Sequence, residues 1–200
     1  MTLARRMAIA AVLTLTSTLI NVIGPQAARA ESTYPNVAIY SYADGNYATP
    51  CCTDPRWGGD PGPPGTPIIS MRWTGDGARN PTAPQFWTWH GESRPYSINR
   101  ETRGWLEMPN SGGEVLDFNQ DRNRSVDGTS YFAQLWQDNG SLPQRWILRR
   151  VGTSARFNIV SQLDGGCLTN NSGNALGVWA CTGAENQVFG FWESRYGWWS

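Results

Sequence analysis

"GVWACTGAENQVFGFW", residues 177–192, joins a short strand-like run carrying Trp179 and Cys181 to a second aromatic run opened by Gln187. The same unit, a strand ending in Trp, a polar turn and then Gln-x-aromatic, recurs upstream. "YFAQLWQDNGSLPQRWIL" (131–148) gives Trp136 followed by Gln144-Arg145-Trp146, and "IISMRWTGDGARNPTAPQFWTW" (68–89) gives Trp73 followed by Gln85-Phe86-Trp87. The Trp-to-Gln interval is twelve residues in the first copy and eight in the other two, and the glutamines lie 59 and 43 residues apart. A unit of ~40 residues present three times predicts a closed three-fold assembly, because no single unit can bury its own apolar face.

Composition agrees with that reading. The 200 residues include 11 Trp, 22 Gly and 13 Pro. After residue 30 no sustained 3.6-residue periodicity occurs. Short β-rich runs at 37–42, 68–73, 131–136, 145–148, 157–160 and 177–179 are separated by Gly, Pro, Asn and Asp, the signature of an all-β domain with many turns. The Pro-rich 53–67 is expected as a surface loop, since Pro removes ladder donors. Residues 90–113 are expected as a second loop-rich segment with a short strand at 104–108, and His90 as a loop residue.

The first thirty residues read separately. Arg5 and Arg6 precede an apolar run that closes on Ala28-Arg29-Ala30, the parts of a secretory signal peptide. A membrane anchor is the alternative, but Thr14, Thr16, Ser17, Thr18 and Asn21 dilute the run. Cleavage after Ala30 would leave 170 residues: an arm at 31–35 and one domain over 36–200. Losing Arg5, Arg6 and Arg29 leaves thirteen basic against sixteen acidic residues, a net charge of −3, with no basic stripe for nucleic acid. The product is expected to be secreted and extracellular, where its four cysteines can oxidise. Cys167 and Cys181 bracket a short loop and are expected to be bridged. The adjacent Cys51 and Cys52 could pair with each other, bond elsewhere or couple to another chain.

The three units resemble the ricin B-type lectin family, whose hallmark is Gln-x-Trp preceded by "Gln-Leu-Trp" and, earlier, by "Cys-Leu-Asp". Gln134-Leu135-Trp136 matches the second element; Val115-Leu116-Asp117 and Cys167-Leu168-Thr169 match the third with one change each. Phe189 stands where the family has Trp. The resemblance covers roughly 36–193 and implies a single-domain β-trefoil of three four-stranded repeats. It also places Cys181 where the family often bonds the early Cys. In it, Trp87, Trp146 and Phe189 are core, and each motif Gln ties backbone groups of its own repeat.

A sugar ring has an apolar face and a rim of hydroxyls, so it wants an aromatic plate, a carboxylate and amides. The resemblance implies that the second repeat carries this set as Asp117, Gln134, Trp136 and Gln144, with Pro143 where the family has Asn. The third repeat keeps a weaker set, Trp179, Asn186 and Gln187, with Thr169 for the acid and Gly177 for the amide. The first keeps Trp73 and Gln85, has Met71 for the amide, and could draw a carboxylate from Asp54. Asp117 is expected as an exposed pocket carboxylate. Trp198 and Trp199 are expected either to close the barrel against 37–42 or to form an exposed aromatic patch.

These residues favour a carbohydrate-binding domain with no catalytic activity, cofactor or metal. With one histidine a multi-His metal site is excluded, and no Gly-x-Ser-x-Gly supports a nucleophile. The partner would be a glycan on a cell surface or a polysaccharide. A second reading is the delivery subunit of a multi-part toxin with an effector partner, since the chain more loosely resembles the ricin-like A and C subunits of cytolethal distending toxins. A trefoil protease inhibitor of the Kunitz soybean type fits the length and cysteines but not the three Gln-x-aromatic units.

Overall fold

The structure, a computed structural model, describes residues 31–51, 61–72, 85–94, 101–121, 125–126, 129–171, 175–193 and 197–198, with backbone alone at 125–126, 129–130 and 197–198. The leader expected at 1–30, Cys52, Asp54, Trp73, Pro84 and Trp199 therefore lie outside the described residues.

Burial alternates along Ile68–Met71, Phe86–Gly91 and Glu101–Glu107, whereas Glu114–Phe118 and Cys167–Thr169 are buried throughout, and three sets of four strands follow one another. The first set is β1 (Ser32–Ser41), β2 (Tyr47–Pro50), β3 (Ile68–Met71) and β4 (Phe86–Gly91). The second is β5 (Glu101–Glu107), β6 (Glu114–Phe118), β9 (Ala133–Gln137) and β10 (Trp146–Arg150), with a two-residue hairpin, β7 (Ser125–Val126) and β8 (Thr129–Ser130), inserted in its loop. The third is β11 (Phe157–Ser161), β12 (Cys167–Thr169), β13 (Gly177–Trp179) and β14 (Phe189–Glu193), followed by β15 (Gly197–Trp198). The outer strands of each set close a ring in the order β1, β4, β5, β10, β11, β14 and back to β1. The inner strands form three hairpins, β2–β3, β6–β9 and β12–β13. These hairpins meet in a triangle through the bridges Pro67↔Gln134, Phe132↔Gly177 and Ala175↔Ile69. The protein is a single β-trefoil domain.

The triangle fixes how the repeats superimpose. Each bridge joins one residue to a position two residues earlier in the preceding repeat, the third preceding the first around the ring, so Ile69, Gln134 and Gly177 are equivalent. The strand registers then make Met71, Trp136 and Trp179 equivalent, and likewise Thr49, Asp117 and Thr169. This corrects the sequence alignment of the first repeat: Met71 stands in the place expected for Trp73, which falls two residues beyond it.

Four further expectations change. Residues 32–34 are not a separate arm but pair with β4, Ser32 opposite Gly91 and Tyr34 opposite Trp89, before a bulge where Asn36 takes a φ of 58°. His90 lies in β4 rather than a loop, and β5 begins at Glu101, three residues before the strand expected from the sequence. The barrel is closed by β14 on β1, and Gly197–Trp198 pairs back on β14 instead of on β1.

The core fills from equivalent positions. Trp87, Trp146 and Phe189 are fully buried, one from each repeat. Trp87 Nε1 donates to the carbonyl of Ala48 (3.1 Å) and Trp146 Nε1 to that of Leu116 (3.0 Å), while Phe189 carries no donor. One layer further along the barrel sit Trp89, Leu148 and Phe191, also buried. Trp89 is the largest of these three, and its ring runs over Gly104, where the other repeats have Val37 and Phe157. A Cβ on Gly104 would lie 2.0 Å from the His90 carbonyl oxygen and 2.8 Å from the Trp89 ring. Volume gained at one position is thus given up at another, as a close-packed interior requires.

The expected Cys167–Cys181 disulfide is present, with a Cα–Cα distance of 5.1 Å, and Cys51 is also disulfide-bonded. Two outcomes are expected in denaturant titrations. Trp146→Phe should cost about 1–3 kcal/mol, because it strands the buried Leu116 carbonyl. Replacing Cys167 and Cys181 together with Ser should cost about 3 kcal/mol through the freed loop.

Candidate functional site

In each repeat whose turn is described, the motif Gln closes the loop that precedes it. Gln144 Oε1 accepts from Asn139 N–H (2.9 Å) and its Nε2 donates to the Gln137 carbonyl (2.8 Å). Gln187 repeats the pattern: Oε1 accepts from Thr182 N–H (2.7 Å) and Nε2 donates to the Ala180 carbonyl (2.9 Å). Both are buried, and so is Gln85. The amide therefore serves the turn first, as the need to pair buried backbone groups dictates.

The same amides reach inward to the first strand of each hairpin. Gln144 bonds the Asp117 carboxylate, and Gln134 Nε2 donates to Asp117 Oδ2 at 2.8 Å across the β6–β9 pair. In the third repeat Gln187 Nε2 lies 3.1 Å from Thr169 Oγ1, so Thr169 fills the structural role of Asp117. Asp117 is only 7% exposed. That overturns the expectation of an exposed pocket carboxylate: it is an internal knot under the hairpin. Burial pushes its carboxyl above the usual carboxylate range, against the pull of the bonds from Gln134 and Gln144.

Asp117, Gln134 and Gln144 are thus brought together, and Trp136 stands at the outer end of the same hairpin, 39% exposed. Trp179 occupies the equivalent place and is 43% exposed. Its ring folds back over Gly177, where a Cβ would lie 2.4 Å from Nε1. The glycine that costs the third repeat an amide is what admits this ring position. Asn186 is half-buried beside Gln187, and its carbonyl accepts from Asn170 N–H (2.8 Å).

Sequence reading missed a cleft of about 550 Å³ between the second and third repeats. Phe118, Tyr131, Val178 and Trp179 line it together with the turn at Asp164–Gly166 and Cys181. The Tyr131 and Trp179 rings meet edge to face, with centroids 6.4 Å apart, and Phe118 lies 6.2 Å from Tyr131. Tyr131 adopts a φ of 59°, a left-handed conformation uncommon for a bulky residue, and its carbonyl accepts from Val178 N–H (2.9 Å). Nothing in the spacing of Tyr131 announces that it meets Trp179, because the contact joins different repeats. Among the described residues no group of three or more His, Cys, Asp or Glu side chains could hold a metal ion.

No family model matches the chain, and no curated protein matches it. Solved structures do. ThreeFoil, a designed three-fold symmetric protein, aligns with a TM-score of 0.54 at 15% identity over 78% of this chain and 95% of its own. A Culex salivary protein of the Cysteine and Tryptophan-Rich family gives 0.52 at 12% identity over 80% of this chain and 94% of its own. SeviL, solved bound to asialo-GM1 saccharide, gives 0.50 at 13% identity over 80% and 98%. At such identities what is shared is the fold.

The raised Asp117 pKa has a direct consequence. A carboxyl whose folded pKa lies above its unfolded value stabilises the fold fully below the unfolded pKa and loses that contribution as pH rises through the folded one. Asp117→Asn keeps an acceptor but cannot ionise. Its Tm relative to the parent protein should therefore rise from pH 3 to pH 7, the change beginning near the ordinary carboxylate value of about 4. Calorimetric melting across that range checks it, and a constant difference would contradict it.

Proposed function

We propose that the chain is a secreted carbohydrate-binding trefoil of the ricin B type, without catalytic activity, whose partner is a glycan on a cell surface or a polysaccharide. The observation that carries the reading is the pair Trp136 and Trp179. They hold the same three-fold position, and both are more than one-third exposed, whereas Trp87, Trp89 and Trp146 are fully buried. An aromatic plate held at a hairpin end offers its apolar face to a sugar ring. In the second repeat Asp117, Gln134 and Gln144 are buried beneath the hairpin and act by holding it, so that Trp136 is presented at its end. Trp179, with Asn186 and Gln187, forms the weaker set. Support comes from SeviL, a trefoil solved with a saccharide bound, and from the leader-like first thirty residues.

The test is a glycan array on the purified protein, followed by calorimetry on the best ligand. Trp136→Ala should weaken binding about tenfold or more, since 1.4 kcal/mol is a factor of ten and a stacked ring contributes on that scale. It should also lower the melting temperature somewhat, because more than half of the residue is buried, so circular dichroism at the titration temperature checks that the fold is kept. Unaltered affinity in Trp136→Ala and Trp179→Ala alike, or no glycan bound by the parent protein, would sink the reading.

A further inference from the structure

The β-trefoil symmetry puts three turns in equivalent places: "SYADGN" at 41–46, "MPNSGG" at 108–113 and "SQLDGG" at 161–166. The first and third share more than a spacing. Gly45 N–H donates to the Ser41 carbonyl and Gly165 N–H to that of Ser161, both at 3.0 Å, and the two glycines have φ values of 73° and 77°. Asp44 Oδ1 accepts from Asn46 N–H (3.1 Å), and Asp164 Oδ1 from Gly166 N–H (2.9 Å). One carboxylate is thus placed twice in the same local frame, while the second repeat has Ser111 there.

The surroundings of the two carboxylates differ completely. Asp44 Oδ2 accepts from Ser70 Oγ (2.7 Å) and from Asn46 Nδ2 (3.0 Å), and Asn170 adds a further side-chain bond. Burial alone would raise the Asp44 carboxyl, but these donors overcome it and hold it below its ordinary range. At Asp164 the equivalents of Asn46, Ser70 and Asn170 are Gly166, Val178 and Phe118, by the same strand registers. None of the three has a side-chain donor. Among the described residues Asp164 accepts only from the Gly166 N–H. It stands instead at the cleft lined by Phe118, Tyr131, Val178 and Trp179. The polar plug that fills the first site is replaced by an opening of about 550 Å³.

We propose that this cleft binds a small organic ammonium ion, its charged head on Asp164 and its apolar body against Trp179, Tyr131 and Phe118. The ligand supplies to Asp164 the donors that Ser70, Asn46 and Asn170 supply to Asp44. Among the described residues, Asp164 is the one charged side chain in the lining, which contains no amide, Arg or Lys. Aromatic faces attract cations through their quadrupole, and a carboxylate beside them adds to that attraction. A neutral sugar would want amide donors around its rim, and among the described residues the lining has no amide side chain to offer. The volume falls within the range that takes small molecules. The site shares Trp179 with the weaker glycan set but uses none of Asp117, Gln134 or Gln144, so its fate is separate from that of the glycan reading.

Calorimetric titration of the purified protein with phenethylamine, a cation at pH 7, provides the test, with 2-phenylethanol as the neutral analogue and galactose as the sugar control. Phenethylamine should bind saturably with a Kd of about 1 mM or tighter, and 2-phenylethanol about tenfold more weakly. Asp164→Asn keeps the oxygen that accepts from Gly166 and so preserves the turn. It should weaken phenethylamine binding about fivefold or more and leave binding of any array-selected glycan through Trp136 unchanged. The double variant Gly166→Asn with Val178→Ser restores two of the donors found around Asp44 and should abolish amine binding. Equal affinity for the amine and the alcohol, displacement of the amine by galactose, unchanged affinity in Asp164→Asn, or no saturable binding would each overturn the proposal.

Discussion

The rest of the structure depends on one constraint, the closing of a six-stranded ring by three hairpins that must meet at its end. No repeat buries its own apolar face, so each must deliver a large side chain to a shared interior and hold it at a fixed depth. The motif glutamine does the holding. In the second and third repeats its amide grips an N–H five residues back and a carbonyl seven residues back, which sets where the next strand enters the barrel. Two residues later comes Trp146 or Phe189, fully buried. Gln and aromatic recur together because one sets the turn and the other fills the space that the turn defines.

Symmetry of the backbone leaves the side chains free to diverge, and the divergence is where chemistry enters. At the hairpin ends, Met71, Trp136 and Trp179 occupy one position and offer three different surfaces. Between repeats, Asp44 and Asp164 occupy another; one is locked by Ser70, Asn46 and Asn170, while the other borders an aromatic cleft. Polar groups that satisfy each other stabilise an interface, whereas a carboxylate facing apolar walls leaves room for a ligand. A single fold thus uses the same local geometry once as a clasp and once as an opening.

Much of this was legible in the sequence. Three Gln-x-aromatic units specified the three-fold repeat and the core residues Trp87, Trp146 and Phe189, because each motif glutamine sets a turn only about seven residues long, and the trefoil followed from the family those units resemble. Cys167 with Cys181 was legible because the two bracket one short hairpin, and Asp117 with Gln134 was legible only through the family resemblance, whose two motif elements turn out to face each other across a hairpin. The alignment of the first repeat was not. Its long loop separates Trp73 from Gln85, and counting back from the glutamine cannot say where the strand ends. The inter-repeat bridge Ile69↔Ala175 supplied the register and put Met71 in that place.

Burial and contact between repeats were decided by tertiary structure alone. Asp117 looks like a pocket acid in sequence, yet two amides and the hairpin enclose it. Tyr131, Trp179 and Asp164 are separated along the chain and show no common pattern, and only closure of the three-fold ring brings them to one cleft. Local sequence determined which residues turn, pair and fill. The ring determined which of them share a surface, because that depends on how three nearly equal units are rotated against one another.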